Sequence, residues 1–324
     1  MTSLIKKPIR IESSAPGTLM LLGEHAVLHQ HHALCAAIDQ RLRITLIPRS
    51  DQKICLNSQL GSLQFLCSAQ IQPREPFSYV IAALQEYAFT QTHGLEIDIQ
   101  SDFSSTIGFG SSSAVTVAMI AALELWQYGT LNLRRVFFTA RKVLHRIQGM
   151  GSGTDLATAI YGGIVFYRQY PLIIEKITQH FALTAIYSGH KTPTREVIQK
   201  IDKQKSANPE LYERYFKMIN QITEQAQKAI RTQDWRTLGA LMNSQQMIME
   251  EMQLSTPAID QIIQALQPFN ILGAKISGSG LGDCVITLGQ VPDQTFPQNQ
   301  IQKDMGIIQI PVNISSMGVM AEIF

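Results

Sequence analysis

A carboxylate, an imidazole and a run of small hydroxyls are the groups of this chain whose surroundings suggest chemistry. Asp155 follows the glycine-rich stretch Gln148-Gly149-Met150-Gly151-Ser152-Gly153-Thr154 and stands near the start of a short helical pattern. A carboxylate held beside bound phosphate can accept a proton from an attacking hydroxyl; a lone Asp there is equally an ordinary partner of a helix dipole. Ser111, Ser112 and Ser113 sit in Ile107-Gly108-Phe109-Gly110-Ser111-Ser112-Ser113-Ala114, which runs straight into the apolar helical pattern 114–123. Glycines let backbone approach a bulky anion, serines supply small donors, and the free N–H groups of the following helix favour phosphate. The stretch lacks the Gly-Lys-Ser/Thr ending of a Walker A loop and is not the dinucleotide Gly-x-Gly-x-x-Gly. It reads as a phosphate cradle of another type or as a Gly/Ser turn with an N-cap.

Two further stretches bear on that choice. Glu24 and His25 interrupt an apolar run, where they would cost free energy if buried unpaired. They are a satisfied pair at a loop or part of a polar site. Gly278-Ser279-Gly280-Leu281-Gly282-Asp283 joins two strand-like runs, as a hairpin turn or as another place where backbone N–H groups approach an anion. Three Gly/Ser-rich loops, each beside an apolar element, are a much rarer coincidence than any one of them. His25, His29, His31 and His32 invite a metal, but no partner cysteine or His-Glu-x-x-His frame accompanies them, and they read as surface loop histidines.

These groups need a scaffold, and 324 residues suffice for two packed domains. With 45% hydrophobic and 16% charged residues the chain has the composition of an ordinary globular protein. A net charge of +2, from dispersed Lys and Arg, argues against a nucleic-acid partner. Cys35, Cys55, Cys67 and Cys284 form no Cys-x-x-Cys pair and read as reduced thiols. Residues 1–8 show no secretory core and no apolar run reaches transmembrane length. The expectation is a cytoplasmic protein with a small-molecule substrate and no membrane partner; a homodimer stays open.

Periodicity places strands at 9–14, 32–38, 41–48, 95–101, 164–168, 182–187, 273–277, 284–288, 306–312 and 319–323, with a small hairpin at 55–57 and 63–67. Helices are expected at 76–90, 113–128, 134–147, 154–161, 194–203, 209–231, 235–252 and 257–266. Met242, Met247, Met249 and Met252 have the spacing of core filler. Strands mixed with segregated helices predict an α+β architecture in two lobes, 1–169 and 170–324, sharing a cleft.

In this order the segments resemble the GHMP small-molecule kinases, over nearly the whole chain. Pro16-Gly17-Thr18-Leu19-Met20-Leu21-Leu22-Gly23-Glu24-His25-Ala26-Val27 is similar to the opening motif of the mevalonate kinases in that family. The 107–114 stretch resembles the family's ATP-phosphate loop, and Lys275-Ile276-Ser277-Gly278-Ser279-Gly280-Leu281-Gly282-Asp283-Cys284 its third motif. The resemblance implies an N-terminal domain like ribosomal protein S5 domain 2, a C-terminal ferredoxin-like domain, and a site between them using ATP and Mg²⁺. It assigns ATP binding to Gly108, Phe109, Gly110, Ser111, Ser112, Ser113 and Ala114, the metal-facing hydroxyl to Ser112, and the catalytic base to Asp155. Thr18, Glu24, His25, Lys191, Thr194, Arg195, Gly278, Ser279 and Gly280 would surround the acceptor. The implied reaction is phosphorylation of mevalonate to 5-phosphomevalonate, in isoprenoid precursor synthesis.

The motifs depart from the family in two places. Thr18 stands where mevalonate kinases usually carry a lysine, and Leu144 falls near a carboxylate that often helps to hold Mg²⁺. Loss of a fixed cation would cost two to three decades in rate, about 3–4 kcal/mol. Lys191 and Arg195 are the replacements available by sequence. Gln148–Asp155 and Gly282-Asp283-Cys284 look closer to phosphomevalonate kinases, which keeps that acceptor as the alternative. The departures also leave room for a non-catalytic nucleotide- or isoprenoid-binding homologue, against which Asp155 argues.

Overall fold

Apolar alternation over the first fifty residues produces one long antiparallel pair, β1 (Ile11–Leu22) with β2 (His32–Arg49), in a computed structural model that describes residues 9–324. The reading of residues 1–8 lies outside them. Both strands are longer than periodicity suggests. At Gly17 β1 makes a register shift between Pro16 and Thr18, so the backbone bulges and the strand continues beyond residue 14. The polar pair Asp39-Gln40 does not break β2, because the Asp39 N–H donates to Asn313 O at 3.0 Å and its Oδ1 accepts the Asn313 N–H at 3.0 Å.

The sheet forks along β2. Its first residues pair with β6 (Ile164–Arg168), which continues into β7 (Ile173–Ile177); its later residues pair with β5 (Gly94–Ser101), then β3 (Lys53–Ser58) and β4 (Gly61–Leu66). The last strand, β12 (Met320–Ile323), returns to the far side of β1. Helix α2 (Ser111–Tyr128) packs against β1 and β2 and is flanked by α1 (Ser78–Leu84), α3 (Leu133–Gln148) and α4 (Thr154–Tyr161). Residues 117–123 are fully buried on every face, as expected of a helix with sheet on one side and helices on the others. The helix expected through residue 90 stops at Leu84. The Thr90 hydroxyl donates to the carbonyls of Leu84 at 2.8 Å and Tyr87 at 2.7 Å, satisfying acceptors that a continuing helix would have bonded.

A second, four-stranded antiparallel sheet runs β11 (Ile307–Val312), β8 (Leu183–Ser188), β10 (Cys284–Leu288), β9 (Gly273–Ser277). Helices α5 (Thr194–Ala207), α6 (Pro209–Thr232), α7 (Trp235–Glu251) and α8 (Pro257–Ala265) lie between β8 and β9 in the chain, and the short α9 (Gln300–Asp304) between β10 and β11. This is the β-α-β-β-α-β order of a ferredoxin-like domain, in keeping with the two-lobed α+β expectation. The expected division after Gln169 falls in the β6–β7 hairpin, and the chain leaves the larger sheet after Ile177. Phe216, Met249, Met252, Leu254 and Ile276 build the second core, while Met242 joins the first. Met247 is 63% exposed and is not core filler. All four cysteines are free, with Cys55 half-buried and the others buried. Among the described residues no helix is long and apolar enough to cross a membrane.

Candidate active site

Loops far apart in sequence meet between the two sheets around a cavity of about 190 Å³, whose walls include Thr18, Gly108, Ser112, Asp155, Lys191 and Asp283. The 108–114 loop forms one side. Gly110 has φ +64° and no side chain caps α2, so the first-turn N–H groups are left for a ligand. A Cβ on Gly110 would stand 2.1 Å from Thr18 Oγ1, and one on Gly108 3.0 Å from Asp283 Oδ1. Close approach excludes a Cβ at Gly110 as the side chains stand and makes one tight at Gly108, and the positive φ at both favours glycine. Ser111, Ser112 and Ser113 line the cavity, and Ser112 Oγ accepts from Gln148 Nε2 at 3.5 Å. Phe109 and Ala114 do not present side chains there. Phe109 is core, 5.9 Å from the Phe103 ring, and its carbonyl accepts the Thr18 N–H at 3.1 Å; Ala114 is buried.

Asp155 lies in the first turn of α4, whose N-terminus also has no side-chain cap. Its Oδ1 accepts from the Thr18 hydroxyl at 2.8 Å and from the Cys35 thiol at 3.6 Å. Burial pushes its pKa above the usual carboxylate range, partly offset by the two donors and the charge of Lys191. Such a carboxylate holds an accepted proton more firmly than a solvated one. Thr18, which the motif comparison marks as a missing lysine, is therefore a donor that aims the base. Cys35 was not singled out; a thiol in an apolar strand carries no sequence signal of a polar partner.

Glu24 faces its own lobe-spanning partners. Lys275 Nζ stands 2.5 Å from its Oε1, and Gln245 Nε2 donates to its Oε2. Gln245 Oε1 in turn accepts the Gly23 N–H at 3.0 Å. Lys275 is completely buried, and desolvation lowers its pKa against the raising effect of Glu24. The signal was available: a lysine inside the apolar strand β9 must find an anion. His25 adopts φ +60° and places Nε2 2.8 Å from Ser279 O. Because a carbonyl only accepts, that nitrogen carries hydrogen; burial lowers the pKa, so the ring is held neutral.

The C-terminal lobe brings Lys191, Thr194, Gly278 and Ser279 to the cavity. Lys191 Nζ donates to Ser105 O at 3.3 Å, just ahead of the phosphate loop, and its charge is felt at both Asp155 and Asp283. Arg195 is exposed and outside the lining, and Gly280 is buried against Leu254. Leu144 lines the cavity and, being apolar, ligates nothing. Asp283, not assigned a role from sequence, is buried with its pKa raised to about 6, mainly by desolvation. His29 stacks on Phe216 at 4.2 Å and His32 on Phe166 at 4.5 Å, away from the cavity lining. A second cavity of about 420 Å³ shares Ser111 and Ser112 and is walled by Leu42, Phe77, Tyr79 and Phe103. Its apolar walls come from separate elements, so no local motif announces it.

A buried carboxylate beside two open helix N-termini, between an α+β lobe and a ferredoxin-like one, defines a class. Residues 77–163 match the family described as GHMP kinases N terminal domain, and residues 226–302 match GHMP kinases C terminal. The chain belongs to the GHMP kinases, which transfer phosphate from ATP to small molecules. Within that family it is 31% identical over 287 residues to the mevalonate kinase of Archaeoglobus fulgidus, covering 88% of this chain and 95% of that protein. It is 26% identical to the mevalonate kinase of Saccharolobus solfataricus, over 87% of this chain and 90% of that one. The crystal structure of the Methanococcus jannaschii mevalonate kinase is similar at a TM-score of 0.78 and 25% identity, covering 96% of this chain and 99% of that chain.

Proposed function

We propose that this protein transfers the γ-phosphoryl group of ATP to the 5-hydroxyl of mevalonate, giving 5-phosphomevalonate and ADP. The observation that carries the reading is Asp155, fixed by Thr18 and Cys35 beside the open N-termini of α2 and α4. The triphosphate lies along the first turn of α2 with Ser111–Ser113 as donors, and the adenosine occupies the adjoining apolar cavity. Asp155 accepts the acceptor hydroxyl's proton as its oxygen bonds to the γ-phosphorus; the bond to the β-phosphate oxygen breaks and its electron pair leaves on ADP. Lys191 supplies positive charge on the side of the transferring group, in place of the lysine absent at position 18.

Mg²⁺ fits these donors. The Ser112 hydroxyl is a hard oxygen at the head of α2, and no group of three His, Cys, Asp or Glu among the described residues forms a cage, so the ion depends on phosphate oxygens. Bound there, it neutralises charge developing on the phosphates. At the acceptor end Met20, Val27, Leu28 and Ile198 form an apolar wall suited to a short branched carbon chain. A phosphorylated acceptor would need further cations. Lys191 is the one Lys or Arg among the described lining residues, which favours mevalonate over phosphomevalonate. We assign the phosphate loop and Asp155 to the lobe built on the larger sheet and Lys191 and the 278–283 loop to the ferredoxin-like lobe, with the division after Ile177 rather than Gln169 and β12 returning to the first lobe, and the reaction to the cytoplasm, where ATP is available.

The test is ATP consumption by the purified protein with mevalonate, with 5-phosphomevalonate and with neither. Turnover with mevalonate alone is expected. Preference for 5-phosphomevalonate overturns the acceptor, and nucleotide binding without transfer to either overturns the kinase reading.

A further inference from the structure

We propose that the Asp283 carboxylate is a ligand of the divalent cation that accompanies the nucleotide, supplying the anionic ligand that Leu144 does not. The proposal rests on the reading above that the 108–114 loop holds ATP.

Asp283 ends the 278–283 loop immediately before β10 and is 4% exposed. Its backbone is fixed on both sides: the N–H donates to His190 O at 2.8 Å, and the carbonyl accepts the Ser188 N–H at 2.9 Å. The side chain is not satisfied. Oδ1 is buried with no hydrogen-bond partner, and no Lys, Arg or His forms an ion pair with this carboxylate among the described residues. Lys191, the nearest cationic influence, is tied to Ser105 O and shares its field with Asp155.

Position and residue type both point to a cation. The carboxylate is wedged between two glycines of different lobes. A Cβ on Gly108 would stand 3.0 Å from Oδ1, and one on Gly278 3.0 Å from Oδ2. Gly108 opens the phosphate loop, and Asp283 shares its cavity with Ser112 and Asp155. A bare carboxylate at the seat of a triphosphate repels the ligand that the loop is built to hold, unless a cation stands between them. The turn itself does not call for a carboxylate. With φ +62°, glycine or asparagine would serve it better and leave no buried charge. Hard carboxylate, hydroxyl and phosphate oxygens together suit Mg²⁺ or Mn²⁺.

Asp283→Asn and Asp283→Gly both suit this backbone, and the glycine variant carries the test if the asparagine variant misfolds. Binding of a non-hydrolysable ATP analogue is measured by calorimetry in EDTA and in saturating Mn²⁺, and Mn²⁺ affinity of the protein–analogue complex by paramagnetic resonance. Both variants should lose at least tenfold in Mn²⁺ affinity, while the metal-free analogue binds as tightly as to the parent or more tightly. Unchanged Mn²⁺ affinity would overturn the proposal, as would equal weakening of metal-free and metal-loaded binding, the mark of a packing role. If the parent protein bound no analogue in either condition, the nucleotide site itself would fall, and the assignment with it.

Discussion

Replacing Lys275 with methionine would expose how much of the contact between the lobes depends on one buried charge pair. Lys275 and Glu24 are both buried, and the second carboxylate oxygen is taken by Gln245 of α7. Lys275→Met leaves a buried anion with a neutral amide as its remaining side-chain donor. Breaking a buried pair in this way costs about 3–5 kcal/mol. Thermal unfolding of the parent, Lys275→Met and Glu24→Gln/Lys275→Met at pH 7 reads this out, with Lys275→Met melting roughly 5–10 °C lower. The double variant, with no charge left to strand, should recover most of the loss. A single-variant penalty below about 1 kcal/mol at pH 7, or a double variant no better than the single, would refute the reasoning.

Two further predictions concern the reacting groups. Lys191→Ala should lower kcat by two to three decades, about 3–4 kcal/mol, whereas Arg195→Ala, altering an exposed side chain outside the cavity, should stay within roughly twofold of the parent. Steady-state kinetics on the two variants decide it, and equal effects would remove Lys191 from its role. Cys35→Ala deletes a donor that stabilises the ionised form of Asp155. The sign follows: without the donor the carboxyl protonates more readily, so the acid limb of the pH profile of kcat/KM moves to higher pH and Cys35→Ser restores it. An unmoved limb, or one moved to lower pH, contradicts the prediction.

How much of this was legible in the sequence depended on whether the signal was local. Asp155 and Ser112 lie in stretches whose residue types suggest phosphate chemistry, Lys191 enters as a replacement for the lysine absent at position 18, and the three share one cavity. The strands and helices of the second lobe were readable from their own periodicity, whereas its ferredoxin-like character came from the family resemblance. What escaped depends on partners far along the chain. Glu24 lines the cavity as the motif implies, but its pairing with Lys275, 251 positions away, has no local signal. Cys35 and Asp283 matter through Asp155 and Gly108, which no spacing rule connects to them. Strand β7 was missed because Ile173-Ile174-Glu175-Lys176-Ile177 is only partly buried and shows little alternation; its pairing with β6 defines it. Arg195 is the converse case, since adjacency to Lys191 in sequence does not carry it to the same face.

The central claim is that Asp155 takes the proton while the 108–114 loop grips the nucleotide, and one variant separates the two roles. Asp155→Asn keeps the size of the side chain and removes its basicity. Its kcat with mevalonate and ATP should fall by roughly 10²–10⁴, with the affinity for a non-hydrolysable ATP analogue within about threefold of the parent. Turnover at the parental rate would contradict the account.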